Sequence, residues 1–195
     1  MERQGKIMRA RMENFETREA EDGLLHISGY FAVYGPVYEI APGMSESIAP
    51  GAFAGSIDGD VRALVNHDTT LVLGRTTAGT LELRDEEAGL WGDILINPND
   101  QDALSCYERV KRRDVDQCSI GFEIISEETD FREDGSVHWT IREAKLWEVS
   151  VCTFPAYEDT SISARAAQRD DLLKRKAEAW REKMLKKLKG EHDGN

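Results

Sequence analysis

The sequence predicts a mainly β fold with helices, an α+β protein built from many short strands. Three observations carry that expectation. Leu25, Ile27, Phe31 and Val33 alternate with His26, Ser28, Tyr30 and Ala32, the period-two pattern of a half-buried strand. Short apolar runs then recur from Val61 to Ile96, punctuated by Gly74, Gly79 and Gly89. Before residue 160 only one stretch, Asp100–Arg113, has helical spacing. Many short strands with one inserted helix imply a closed or nearly closed barrel.

The elements follow in order. Glu21-Asp22-Gly23 reads as a hairpin turn between a strand around Met12–Arg18 and the strand Leu25–Val33. Residues Gly35–Gly51 contain Pro36, Pro42, Gly43, Ser45, Ser47 and Pro50, and read as a long surface loop of the kind that is usually functional. Strands are predicted at Val61–Val65, Leu71–Leu73, Thr80–Leu83 and Leu90–Ile96. The helix at Asp100–Arg113 puts Ala103, Tyr107 and Val110 on one face, with Asn99 or Asp100 as its cap. Two β segments follow, Cys118–Ile125 and Val137–Phe154, joined by the turn Glu133-Asp134-Gly135-Ser136. The chain divides into a domain over residues 1–165 and a charged helical tail over 166–195. In that tail Leu173, Ala177, Trp180, Met184 and Leu188 recur at helical spacing. Such a stripe packs on the domain or docks on a second protein.

Charge narrows the function classes. The 195-residue chain carries a net charge of −12. The tail holds nine Lys/Arg against six Asp/Glu, leaving −15 on residues 1–165. Nucleic-acid affinity comes mainly from Lys and Arg, so neither nucleic acid nor an anionic membrane surface is expected as a partner. No run approaches the roughly 18 apolar residues that cross a bilayer, and no secretory signal is expected, since Met1–Lys6 lead into no apolar stretch. The three cysteines, Cys106, Cys118 and Cys152, lie in apolar stretches and read as reduced, buried thiols of an intracellular protein. No Cys-x2-Cys or His-x3-His spacing occurs, so no zinc and no other cofactor is expected.

Three polar residues stand out. Glu148 interrupts the apolar run Leu146–Cys152, where a lone buried carboxylate would cost several kcal/mol. His67 closes an apolar strand in Leu64-Val65-Asn66-His67, and Ser119 opens another in Cys118-Ser119-Ile120-Gly121-Phe122. One arrangement satisfies all three: His67 takes the Ser119 hydroxyl proton at one ring nitrogen and gives its other N–H to Glu148. Each also has a structural explanation, and Arg75 or Arg142 could pair with Glu148. Asp68 is a poor orienting acid, because adjacent extended residues face opposite ways. His138 remains an alternative third member and Cys118 an alternative nucleophile.

An ordered set of short motifs adds to this reading: Gly51-Ala52-Phe53, Asn66-His67-Asp68, Leu73-Gly74-Arg75-Thr76, Gly79-Thr80-Leu81, Ser119-Ile120-Gly121-Phe122, Glu148-Val149-Ser150-Val151 and Pro155-Ala156-Tyr157. Together they resemble the prohead (capsid maturation) serine proteases of tailed bacteriophages, relatives of the herpesvirus assembly proteases. The resemblance covers roughly residues 10–165. It implies a small antiparallel β-barrel of the herpesvirus-protease type. It also implies an endopeptidase that acts in the host cytoplasm inside the immature prohead, removing the scaffold segment of the major capsid protein precursor and cleaving itself. The family's histidine and serine fall on His67 and Ser119, and its third position on Glu148. Viral relatives dimerise, which extends to this chain the expectation of a homodimer or higher oligomer. The competing expectation is a non-enzymatic assembly factor that keeps the fold and binds scaffold.

Overall fold

The computed structural model describes residues 6–11, 16–20, 23–154 and 159–188. The strands are β1 (Lys6–Arg11), β2 (Glu16–Glu19), β3 (Leu25–Val33), β4 (Tyr38–Ala41), β5 (Met44–Ile48), β6 (Arg62–Val65), β7 (Asp68–Arg75), β8 (Leu81–Glu86) and β9 (Gly89–Ile96). Helix α1 (Gln101–Lys111), β10 (Gln117–Phe131), β11 (Val137–Cys152) and α2 (Asp159–Leu188) complete the order. The predicted strand around Met12–Arg18 and the turn at residues 21–23 fall partly outside the described residues, with β2 taking the end of the former.

The α+β class holds, mainly β with two α-helices. Among the described residues the ladders form two sheets, and no closed barrel is found. One sheet runs β2-β3-β9-β8, antiparallel throughout. The other has seven strands: β1, β10, β11, β5 and β4 are neighbours in that order, β6 also pairs with β11, and β7 pairs with β6. Strand β11 is the spine. Its whole length pairs antiparallel with β10, while its other edge holds β5 along Val137–Ile141 and β6 along Glu148–Val151, both parallel. This split edge brings the end of β6, and therefore His67, beside the last residues of β11.

A single apolar core joins the two sheets, with Ile27, Phe31, Leu90 and Ile94 from one and Ile120, Phe122, Val149 and Val151 from the other. Phe53 plugs it from the segment after β5, stacking on Tyr34 at 6.3 Å and meeting Phe122 edge-on at 5.8 Å. Helix α1 closes one side through Ala103, Cys106, Tyr107 and Val110, an i, i+3, i+4, i+7 stripe. Asp100 caps it, accepting from the backbone N–H of Asp102 at 2.9 Å and of Ala103 at 3.3 Å. Such a cap contributes about 1 kcal/mol.

The predicted loop at Gly35–Gly51 is corrected by a hairpin, β4 and β5, turning at Pro42-Gly43 with Gly43 at φ 72°. Strand β5, Met-Ser-Glu-Ser-Ile, looks polar because its partners are distant in sequence. His138 bonds both Ser45 Oγ and Ser47 Oγ at 2.9 Å. Arg165 of α2 reaches Glu46 at 3.4 Å.

Candidate active site

The turn between β6 and β7 presents His67. Val65 pairs with Asp68, leaving Asn66 and His67 as the two central residues, both with positive φ (51° and 61°), as a type I′ hairpin turn requires. A left-handed histidine costs roughly 1–2 kcal/mol, so the surroundings must hold it. They do. Asn66 N–H donates to the Val151 carbonyl at 3.0 Å, and Asn66 Oδ1 accepts from Thr153 N–H at 2.9 Å. His67 N–H donates to Ser150 Oγ at 3.2 Å. All three bonds tie the turn to β11 or the residue after it.

The ring then meets the acid singled out from the sequence. His67 Nδ1 lies 2.6 Å from Glu148 Oε1. The other carboxylate oxygen, Oε2, accepts from Ser150 Oγ at 2.5 Å. The His67 and Glu148 side chains keep 18% and 14% exposure, so this is a mostly desolvated pair with a solvent-facing edge. Neither arginine considered as a partner for Glu148 plays that part: Arg75 binds Asp60 and Arg142 binds Glu128. Asp68 turns away, its Oδ1 accepting from Thr70 N–H and Thr70 Oγ1.

Ser119 lies on β10 opposite Ser150, and Gly121 opposite Glu148. Directly paired residues of antiparallel strands share a face, with Cα atoms about 4.5–5.5 Å apart. Ser119 and Gly121 of β10 thus share one face with Glu148, Ser150 and Cys152 of β11. The Ser119 side chain is fully buried. Cys118 takes the opposite face, its Sγ at 3.3 Å from the Phe31 carbonyl in the core, and burial pushes its pKa well up. His138 is ten residues from Glu148 along β11, with both ring nitrogens on hydroxyls of β5. It does not orient His67.

Two neighbours were not singled out from the sequence. Cys152 Sγ lies 3.9 Å from His67 Nε2, and burial together with the Glu148 charge pushes this thiol up to about 12. Ser150 contacts both His67 and Glu148. The available signal was strand alternation: once Glu148 is suspected, residues 150 and 152 must face the same way. The motif Pro155-Ala156-Tyr157 and the loop after Phe154 lie outside the described residues.

Residues 13–175 match the family model of the caudovirus prohead serine proteases. The prohead protease of Enterobacteria phage HK97 is 28% identical over 140 residues, covering 70% of this chain and 60% of that protein. The match thus spans about three-fifths of that relative's length. Among solved structures, the bacteriophage T4 capsid assembly protease, gp21, aligns at a TM-score of 0.48 and 10% identity, over 78% of this chain and 99% of that one. The family match takes in most of the sequence, from before the first site residue to past the last, and the chain belongs to the caudovirus prohead serine protease family.

Proposed function

We propose that this chain is a serine endopeptidase of phage capsid maturation working through Ser119, His67 and Glu148. Ser119 attacks the scissile carbonyl, His67 takes the hydroxyl proton and returns it to the leaving amine, and Glu148 fixes the imidazole and stabilises the imidazolium. The observation that carries this reading is the 2.6 Å contact between His67 Nδ1 and Glu148 Oε1 on the sheet face that Ser119 shares. It leaves Nε2 as the only ring nitrogen for the proton transfer. The substrates are the scaffold segment of the capsid protein and the protease itself, inside the immature prohead. Family membership and the HK97 prohead protease support that assignment. The finer reading of the fold as a herpesvirus-type barrel rests on family membership, since the described strands form two sheets on one core and no closed ring. We propose too that the division into a protease domain and a basic helical tail is functional, with the tail engaging an acidic stretch of scaffold.

Loss of Ser119 or His67 costs on the order of 10⁴–10⁶ in kcat, or roughly 5–8 kcal/mol of barrier. The test is labelling of the intact chain by a fluorophosphonate, with capsid precursor processing read in parallel. Ser119→Ala and His67→Ala abolish both and leave the fold intact. A folded Ser119→Ala variant that still processes precursor overturns the assignment. The complete burial of Ser119 favours one rival, an assembly factor that keeps the fold without the chemistry. A wild-type chain that resists the reagent and leaves precursor whole would establish it.

A further inference from the structure

We infer that Ser150 is a positioning residue for the His67–Glu148 pair, an inference that rests on the serine-protease reading above. Ser150 is fully buried at the end of a strand where its buried neighbours Val149, Val151 and Cys152 have no hydroxyl. Its one hydroxyl is used twice, both times on the site. As donor it binds Glu148 Oε2 at 2.5 Å, and as acceptor it takes the His67 backbone N–H at 3.2 Å.

Each bond has its own consequence. Occupying Oε2 stops the carboxylate from rotating, so Oε1 stays aimed at Nδ1, and hydrogen bonds to an ionised acceptor are among the stronger ones. Holding the His67 N–H fixes a residue at φ 61°, a backbone state that a histidine leaves readily when released. Acid and base are thus tied to a third atom as well as to each other. That atom sits on the strand position opposite Ser119, so the same register fixes the nucleophile relative to the pair. A side chain without a hydroxyl at residue 150 would leave both groups in place in the sequence and loose in space.

The test compares Ser150→Ala and Ser150→Thr in the full-length chain. Diisopropyl fluorophosphate serves as the probe, its inactivation rate and its binding constant measured separately. The proton on His67 Nδ1 is followed by NMR as the far-downfield signal of a short bond to carboxylate. Ser150→Ala keeps the fold and the binding constant, slows inactivation about a hundredfold as expected for a misplaced reacting group, and loses or shifts the downfield signal. Ser150→Thr, which keeps the hydroxyl, restores both. A Ser150→Ala chain that inactivates at the wild-type rate with its downfield signal unmoved overturns the inference. So does a loss that threonine leaves unrepaired in a folded chain. The NMR signal needs no activity, so failure of the protease reading, shown by a Ser119→Ala chain still labelled, is distinguishable from failure of this one.

Discussion

At Gly121 the backbone of β10 leaves room for a carboxylate and for little else. A Cβ there would lie 2.5 Å from Glu148 Oε1 and 3.0–3.1 Å from its Cγ and Cδ. Alanine therefore pushes the acid off His67 Nδ1 while leaving every other site residue unchanged. Gly121→Ala is expected to fold and to lose about a hundredfold in the rate of fluorophosphonate labelling, by the same misplacement. Stopped-time labelling alongside a denaturation curve checks it, and a full labelling rate in Gly121→Ala would mean that Glu148 does not orient the base. The thiols give a second test. Burial raises Cys106 to about 11 and Cys152 to about 12, and it pushes Cys118 well up too. A raised thiol pKa leaves less thiolate, so at pH 8 all three stay neutral and only the approach to strongly alkaline pH exposes the nucleophile. Iodoacetamide should modify the native chain far more slowly than the urea-unfolded chain at pH 8. Equal rates would remove the ground for preferring Ser119 to Cys118.

At the scale of elements, the informative pair is β5 and the start of α2. Arg165 is nearly buried, with a bidentate contact to Glu127 (2.7 and 2.8 Å), a weaker one to Glu46 at 3.4 Å, and its guanidinium 4.7 Å from the centre of the Trp139 ring. Ala166 and Leu172 pack beside it on Met44, Val137 and Trp139. Removing one member of a buried ion pair costs about 3–5 kcal/mol. Arg165→Ala should therefore loosen α2 from the sheet, seen as faster amide exchange along the helix and a lower denaturation midpoint. Unchanged exchange would show that the apolar contacts alone hold it. The same pair marks where the sequence was legible and where it was not. Strands β3, β6 and β9, helix α1 and the β10–β11 hairpin could be read because their apolar spacing is local. Strand β5 could not, because Ser45, Glu46 and Ser47 are made burial-tolerant by His138 and Arg165, residues 91 to 119 positions away. Glu148 was legible for the opposite reason: a charge among apolar neighbours demands a partner. Ser150 and Cys152 carry no such contradiction, and only their alternation with Glu148 along one strand marks them.

At the scale of the whole molecule, charge and packing divide the chain at different points. The sequence changes sign near residue 166, from −15 to +3, yet α2 begins at Asp159 and its first half belongs to the body. Lys176 still lies over the Phe131 ring at 4.1 Å, at the end of β10. Beyond it, residues 177–185 are exposed, Trp180 at 63% and Met184 and Leu185 with it. Two truncations separate anchor from tail. Deleting 177–195 takes away the exposed residues 177–185 and none of the contacts named above, so stability should change by no more than about 0.5 kcal/mol and the fluorophosphonate rate should stay as it was. Deleting 165–195 takes the Arg165 ion pair and the Leu172 contact as well, and should cost several times more. With the body intact in the shorter truncation, any loss is a loss of docking: recovery of the protease in proheads, coexpressed with capsid precursor, should fall while labelling in solution does not. Equal recovery would leave Trp180 and its basic neighbours without a role in packaging. A parallel fall in labelling would instead place the outer half of α2 within the enzyme's own working surface.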